Sequence, residues 1–403
     1  MDTIRLNPHH MKDQINNHVS ALADDIITWR RHLHQHPELS FEEYETTLYI
    51  TDKLKQLAIP FRSVSETGVI GFINGNGKSD KTLALRADID ALPITEENDV
   101  VYKSLHTGVM HACGHDFHTA TLLGVATILK KMEQQLDGNI ILIFQAAEEK
   151  IPGGAQAVVA SGVLDVPNLI GVIGQHVSPK IEVGKFGYRA GKFMASSDEL
   201  YIDIKGKGGH GAQPHLNIDP VSISAQLIVT LQQIVSRYAN PAIPTVLSFG
   251  KVIANGAANV IPDTVHLEGT FRTMDESWRE KALSLMENII KELPQTLGAE
   301  VKVEVRRGYP ALLNNELLIQ KIKKAALAVF AEEQITDTDL WMAAEDFAYY
   351  AKQYPAAFYL IGTKCPEKNL TAELHNPHFN IDEDILPESV RMMTNLAVAL
   401  INE

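Results

Sequence analysis

Up to about residue 187 this chain alternates amphipathic helical periodicity with short apolar runs, and that rhythm restricts it to one broad class of fold. Helices are expected over 12–35, 42–57, 116–135 and 153–162, and strands over 82–87, 139–145 and 169–176. The run Ile140-Ile141-Leu142-Ile143-Phe144 reads as a buried strand. The expectation is an α/β domain on a mixed, largely parallel sheet with helices on its faces. Reactive loops in such sheets gather at the carboxyl ends of the strands. Asp88 with Asp90, Glu148 with Glu149, and His176 all fall at or just past an expected strand end.

Beyond residue 195 the rhythm changes. Strand 198–206, helix 219–238, strands 245–254 and 263–273, helix 276–293 and strand 300–306 give the order βαββαβ, that of a ferredoxin-like unit. Helices at 315–330 and 384–401 and a strand at 357–362 follow. At 403 residues the chain exceeds one ordinary core. The expected organisation is a discontinuous catalytic domain, 1–190 and 308–403, interrupted by a satellite at 191–307. Gly184, Gly187 and Gly191 mark the first hinge, and Arg307-Gly308-Tyr309-Pro310 the second.

A formal charge of -14 speaks against nucleic acid as a partner, because no stretch concentrates the Lys and Arg that phosphate binding needs. No apolar run approaches the roughly 20 residues of a membrane span, so no membrane partner is expected. Met1-Asp2-Thr3-Ile4-Arg5 leads into polar residues with no apolar h-region, and the expected location is the cytoplasm. Of the two cysteines, Cys113 lies inside a His-rich motif and reads as a free, metal-binding thiolate in preference to a disulfide partner. Cys365, between Lys364 and Pro366, reads as a loop thiol.

His111-Ala112-Cys113-Gly114-His115-Asp116 sets a thiol and an imidazole two residues apart where a helical pattern begins, which makes it half of a metal site. Glu148-Glu149 supplies a second half, and His176 and His375 each sit beside a short apolar segment. Sulfur, nitrogen and carboxylate donors together suit zinc and its transition-metal neighbours, manganese, nickel and cobalt among them, rather than calcium or magnesium. Cys113, His115, Glu149, His176 and His375 are too many donors for one tetrahedral catalytic ion and suit two divalent ions. A thiolate has lone pairs for two metals, so Cys113 is the candidate bridge. Adjacent side chains past a strand end point differently, which leaves Glu149 to bind metal and Glu148 to act as general base. His32, His34 and His36 stop at Pro37 and read as a local polar network at a helix exit. His9 and His10 read as exposed, and His118 either supports a ligand or packs within its helix.

These motifs resemble the amidohydrolase branch of the zinc-dependent aminoacylase and carboxypeptidase superfamily, which includes hippurate hydrolases, bacterial N-acyl-amino-acid amidohydrolases and plant hydrolases of indole-acetyl amino acids. The resemblance covers nearly the whole chain. It runs through Arg31-His32-Leu33-His34, His36-Pro37-Glu38-Leu39, Arg86-Ala87-Asp88-Ile89-Asp90-Ala91-Leu92-Pro93 and, most specifically, Met110 to His118. It continues through Gly206 to His215, Asn259-Val260-Ile261-Pro262-Asp263, Glu345-Asp346-Phe347 and Leu374-His375-Asn376-Pro377. Where the branch usually has Gln-Pro-Ala-Glu-Glu, this chain has Gln145-Ala146-Ala147-Glu148-Glu149.

The resemblance implies a di-metal domain with a ferredoxin-like satellite that dimerises or acts as a lid, hence a homodimer or higher homo-oligomer. It implies the same ligands and base, with Asp116 behind them orienting an imidazole. His210 would stabilise the oxyanion of the scissile carbonyl, and Asn259 and Arg272 would hold the substrate carboxylate. The implied reaction is hydrolysis of the amide of a small N-acyl amino acid or similar conjugate. A dipeptidase or aminopeptidase of the same architecture and a non-catalytic metal-binding protein are the alternatives. A nucleobase deaminase is disfavoured, because the Pro-Cys-x-x-Cys half of its zinc motif is absent.

Overall fold

The apolar runs expected as strands pair into one eight-stranded sheet in a computed structural model that describes residues 8–403. The segment Met1–Arg5, where no h-region was read, lies outside the described residues. The chain forms two units, Met1–Gly191 with Leu313–Asp339 and Tyr349–Glu403, and Lys192–Leu312 with Leu340–Ala348.

In the first unit the strand order is Phe61–Arg62, Val69–Ile73, Asn139–Gln145, Thr82–Asp88, Leu169–Glu182, Ala356–Lys364, Phe186–Tyr188, Ile335–Asp337. The central strands from Asn139–Gln145 to Ala356–Lys364 run parallel, and antiparallel pairs flank them. Every residue of Thr82–Asp88 is buried, as a strand covered on both faces must be. Its register sets Asp88 against Gln145 and Arg86 against Gly174, so the central strands reach one edge together. His176, expected at a strand end, lies inside a longer strand. Leu169–Glu182 keeps pairing with Ala356–Lys364, Leu360 opposite His176, after its other neighbour has ended at Asp88.

Helices Pro8–Gln35, His115–Lys131 and Leu386–Ile401 pack against one another, with Gly124 at a close approach. A Cβ there would come within 2.8 Å of Val390 Cγ2 and 3.3 Å of Ile26 Cδ1. Helix His115–Lys131 opens on Gly114, whose φ is +83°, a conformation that favours glycine. A Cβ on Gly114 would approach Val177 Cγ2 to 2.5 Å, so the glycine also lets Cys113 and His115 lie against the strand carrying His176. Strand Val69–Ile73 has no expected counterpart, because all but Phe72 are buried and the run shows no alternation.

The second unit is the βαββαβ arrangement. Strands Asp198–Lys205, Thr245–Ile253, Thr264–Thr273 and Glu300–Arg307 form a four-stranded antiparallel sheet in which the first strand lies between the third and the fourth. Helices Pro220–Leu231 and Glu276–Thr296 bury Ile223, Leu227, Leu231, Ala282, Met286 and Ile290 in one core with Leu200, Ile202, Ile204, Leu267 and Phe271. Asp219 and Asp275 cap the two helices by accepting backbone N–H bonds. The helix expected over 219–238 ends at Leu231 and is followed by a wider π turn, Ile234–Tyr238. No helix among the described residues is long and apolar enough to cross a membrane.

Candidate metal centre

The first unit gathers its candidate donors into one cluster in which Cys113, His115, Glu148 and His176 are buried, Glu149 is half-buried and His375 is exposed. Cys113 Sγ lies 3.4 Å from His176 Nε2, and His115 completes a group whose ligand atoms all lie within 4.8 Å of one another. Cys113 also belongs to a second such group, with Glu149 and His375. Glu149 Oε1 is 3.3 Å from His375 Nε2 and 3.9 Å from His115 Nε2. The thiol is thus shared by both groups. Glu148 lies with His115 and Glu149 in a third group within the same limit. The sheet edge brings together Cys113, His115, Glu148, Glu149 and His176, while His375 arrives from a distant loop. That loop is tied down by the His375 N–H, which donates to Ala112 O at 2.8 Å.

The imidazoles are aimed from behind. His115 Nδ1 lies 2.9 Å from Asp90 O and 3.1 Å from Asp90 Oδ1, both acceptors, so Nδ1 carries a proton and Nε2 faces the cluster. His176 Nδ1 donates to Val177 O at 2.7 Å, which leaves its Nε2 toward Cys113. Asp90 Oδ2 accepts from Ser40 Oγ at 2.6 Å and from the Glu149 N–H at 2.9 Å. His118 Nδ1 donates to Asp88 Oδ1 at 2.6 Å, and its Nε2 accepts from the Val177 N–H at 3.0 Å. With both nitrogens engaged, His118 supports the site rather than binding at it. Arg86 Nη1 donates to Asp88 Oδ2 at 2.6 Å, holding the Asp88 carboxylate 3.7 Å from His115 Nε2.

Asp116 does orient an imidazole, but not that of a candidate ligand. Its Oδ2 accepts from Arg30 Nε and His34 Nδ1, each at 2.8 Å, so the imidazole it orients is that of His34. His34 Nε2 reaches Glu96 Oε1 at 3.1 Å, and His36 Nδ1 donates to His32 O at 2.8 Å. A polar network at the helix exit is therefore what the three alternating histidines build. Cys365 is buried, and both cysteines are free thiols.

Electrostatics define what the cluster holds. Burial and the carboxylates of Glu149, Glu148 and Asp88 push the Cys113 thiol well above its ordinary range. Burial opposes charge on His115, but Asp88, Asp90 and Glu149 overcome it and lift its pKa to about 10. Burial drives His176 well below its usual value. His115 Nε2 is buried and finds no hydrogen-bond partner among the described residues. A sulfur crowded by carboxylates beside an unpartnered imidazole nitrogen is a set of donors that fits a divalent cation, which reverses these penalties by its own charge.

The remaining expected residues lie in the second unit. His210, in the short ribbon that pairs it with Val260, is exposed, and its Nδ1 accepts from the Ala212 N–H at 3.1 Å. Asn259 lies beside it, its carbonyl accepting from the Gly211 N–H at 2.8 Å. Arg272 pairs with Val246 on strand Thr264–Thr273, and its Nη1 is buried without a hydrogen-bond partner among the described residues. His210 and Asn259 lie on the ribbon past the Thr264 end of that strand, while eight residues at about 3.3 Å each carry Arg272 about 26 Å along it. The structure does not bring Arg272 to the other two within one unit.

Sequence reasoning gave no role to Asp90 or Glu43. Asp90 carries a signal, a second carboxylate two residues past Asp88 at a strand end. Glu43 carries none, since Glu42-Glu43 at the start of the helix expected over 42–57 reads as ordinary charge at its N-terminus.

The model of peptidase family M20/M25/M40 matches residues 84–399. The N-acetyl-L-cysteine deacetylase of Bacillus subtilis (strain 168) is 42% identical over 375 residues, 93% of this chain and 88% of that protein. The N-acyl-L-amino acid amidohydrolase of Geobacillus stearothermophilus is 43% identical over 304 residues, 75% of this chain and 81% of that one. Among solved structures, the YXEP protein of Bacillus subtilis, a dinuclear metal-binding peptidase of the M20 family, superposes with a TM-score of 0.80 at 34% identity, covering 95% of this chain and 99% of that one.

Proposed function

The chain belongs to the amidohydrolase branch of peptidase family M20/M25/M40, and on that premise we propose that it is a metal-dependent amidohydrolase of small N-acyl amino acids or similar conjugates. It would release a carboxylic acid and a free amino acid. The observation that carries this reading is the approach of His115, His176, Glu149 and His375 to a shared Cys113, with Glu148 beside them. Relatives named for deacetylating N-acetyl-L-cysteine and hydrolysing N-acyl-L-amino acids support the substrate class.

Cys113, His115, Glu149, His176 and His375 would hold two divalent ions, zinc first by its donor set and manganese, nickel or cobalt as alternatives. Such ions, when bound, supply Lewis acidity and make water acidic enough to be deprotonated near neutral pH. Glu148 takes the proton of the attacking water and returns it to the nitrogen that leaves, so it ends each cycle as the carboxylate. His210 Nδ1 accepts a hydrogen bond, so in the neutral ring Nε2 carries the proton and can donate to the oxyanion, a bond worth about 3–4 kcal/mol in comparable sites. Arg272, whose Nη1 is buried without a hydrogen-bond partner among the described residues, and Asn259 would hold the substrate carboxylate. The length of strand between Arg272 and the His210 ribbon exceeds a small substrate, so one substrate would not meet Arg272 and His210 of the same copy of the chain.

Glu148→Gln tests the reading. Turnover is expected to fall at least about 10²–10⁴-fold, with two metal ions per chain still counted by elemental analysis. Retained turnover would remove Glu148 as the base. A panel of N-acetyl and N-benzoyl amino acids against dipeptides, run with each metal, reports whether the substrate needs a blocked amine; cleavage of dipeptides alone would replace the amidohydrolase by a dipeptidase.

A further inference from the structure

After strand Asn139–Gln145 the backbone turns before helix Gly154–Ala160, and Ala147 in that turn has φ +54°, a left-handed conformation that a residue with a Cβ keeps only when its surroundings hold it there. Two buried carboxylates do the holding. Asp90 Oδ2 accepts from the Glu149 N–H at 2.9 Å, and Glu43 Oε1 accepts from the Ala147 N–H at 2.7 Å. Their two bonds bracket Glu148. On the far side of the turn, the Gly154 N–H donates to Ala147 O at 3.0 Å.

Glu43 immediately precedes helix Tyr44–Gln56 and is fully buried, a costly place for a carboxylate that an apolar residue of similar volume could fill. Its second oxygen accepts from Thr67 Oγ1 at 2.7 Å. No step of the proposed reaction uses it.

We propose that Glu43 is a positioning residue that fixes the aim of Glu148 by holding the Ala147 amide. The inference rests on Glu148 being the general base. Without the Glu43 acceptor a buried N–H loses its partner, the left-handed residue loses one of the two bonds that hold it, and the aim of Glu148 loosens. Glu149 stays pinned through Asp90, and Cys113, His115, His176 and His375 come from other segments. The loss should therefore fall on the chemical step and spare the metal donors.

The test compares wild type, Glu43→Gln, Glu43→Met and Thr67→Val as full-length, manganese-loaded enzymes on the N-acyl amino acid that wild type cleaves fastest. Gln keeps an acceptor for Ala147 and an amide to give to Thr67, so kcat should stay within about threefold; Met keeps the length without the acceptor, and kcat should fall about 10–100-fold with KM and calorimetric manganese affinity within about threefold. Thr67→Val removes only the other contact and should leave kcat near wild type. The proposal is overturned if Glu43→Met turns over as fast as wild type, if Glu43→Gln loses as much as Glu43→Met, or if weakened manganese binding accounts for the loss. Should Glu43→Met not fold, hydrogen exchange of the wild-type Ala147 amide decides; protection like that of the adjacent strand supports the bond, and exchange as fast as an exposed loop overturns it. Glu148→Gln is measured alongside. If it retains turnover the base assignment fails, whereas a dead Glu148→Gln beside a fully active Glu43→Met sinks the positioning role alone.

Discussion

Asp90 shows how one side chain can set several parts of a metal centre. It holds the proton of His115 Nδ1, accepts the Glu149 N–H and takes the Ser40 hydroxyl, while lying too far back to be counted among the donors. Burial opposes its ionisation, yet the bonds from His115, Ser40 and the Glu149 N–H hold its carboxyl below the usual range, so it stays an acceptor at any working pH. Partners of this kind fix a ligand's tautomer and ring orientation. Asp90→Ala is expected to weaken metal binding about 10–100-fold, read by zinc titration calorimetry with far-UV circular dichroism to check the fold. Unchanged affinity would mean that His115 is oriented by the Asp90 carbonyl and helix packing alone. Asp116 makes the opposite case. Its position next to His115 in sequence suggests a similar task, but on the helix its side chain points to Arg30 and His34.

At the level of elements, the centre depends on where strands stop and what the chain does next. Parallel register sets Asp88 level with Gln145 and Arg86 level with Gly174, so the segments that follow the first two strands, Ile89-Asp90 and Ala146 to Glu149, meet over the same edge. The thiol–imidazole motif reaches that edge through a single glycine. Gly114→Ala combines a left-handed backbone, about 1–2 kcal/mol for a residue with a Cβ, with a contact of 2.5 Å to Val177 Cγ2. The variant should melt several degrees lower and bind metal more weakly, because relief of the clash moves Cys113 and His115 away from His176. Thermal melting with and without zinc measures both; equal stabilisation of variant and wild type by zinc would show that the donors had not moved. Short elements such as Phe61–Arg62 and Phe186–Tyr188 escape sequence reading because two or three residues carry no periodicity.

At the scale of the whole molecule, a satellite that places Arg272 about 26 Å of strand from the His210 ribbon makes the quaternary arrangement part of the reaction proposal. In a two-fold dimer where His210 serves the partner's Glu148, a hybrid of one Glu148→Gln chain and one His210→Ala chain contains one intact site. Co-expressed random dimers of these inactive variants should then recover about a quarter of wild-type activity. If His210 acts within its own chain, every hybrid site lacks one residue and nothing is recovered. A light-scattering mass of a monomer at assay concentration would rule out the exchange.

Much of this was legible along the chain. The alternation of helix and strand dictates the α/β class, because apolar periodicity is a local property that each segment carries with it. The βαββαβ order of the second unit follows in the same way, and the donor types were named because thiol, imidazole and carboxylate announce their chemistry by type and spacing. Tertiary structure alone decided which side chain supports which. His115 leans on Asp90, His118 on Asp88, and the Ala147 turn on Glu43 across 104 residues of sequence. Hydrogen bonds over such separations depend on register and on side-chain direction, and neither is encoded in the local pattern from which helices and strands are read.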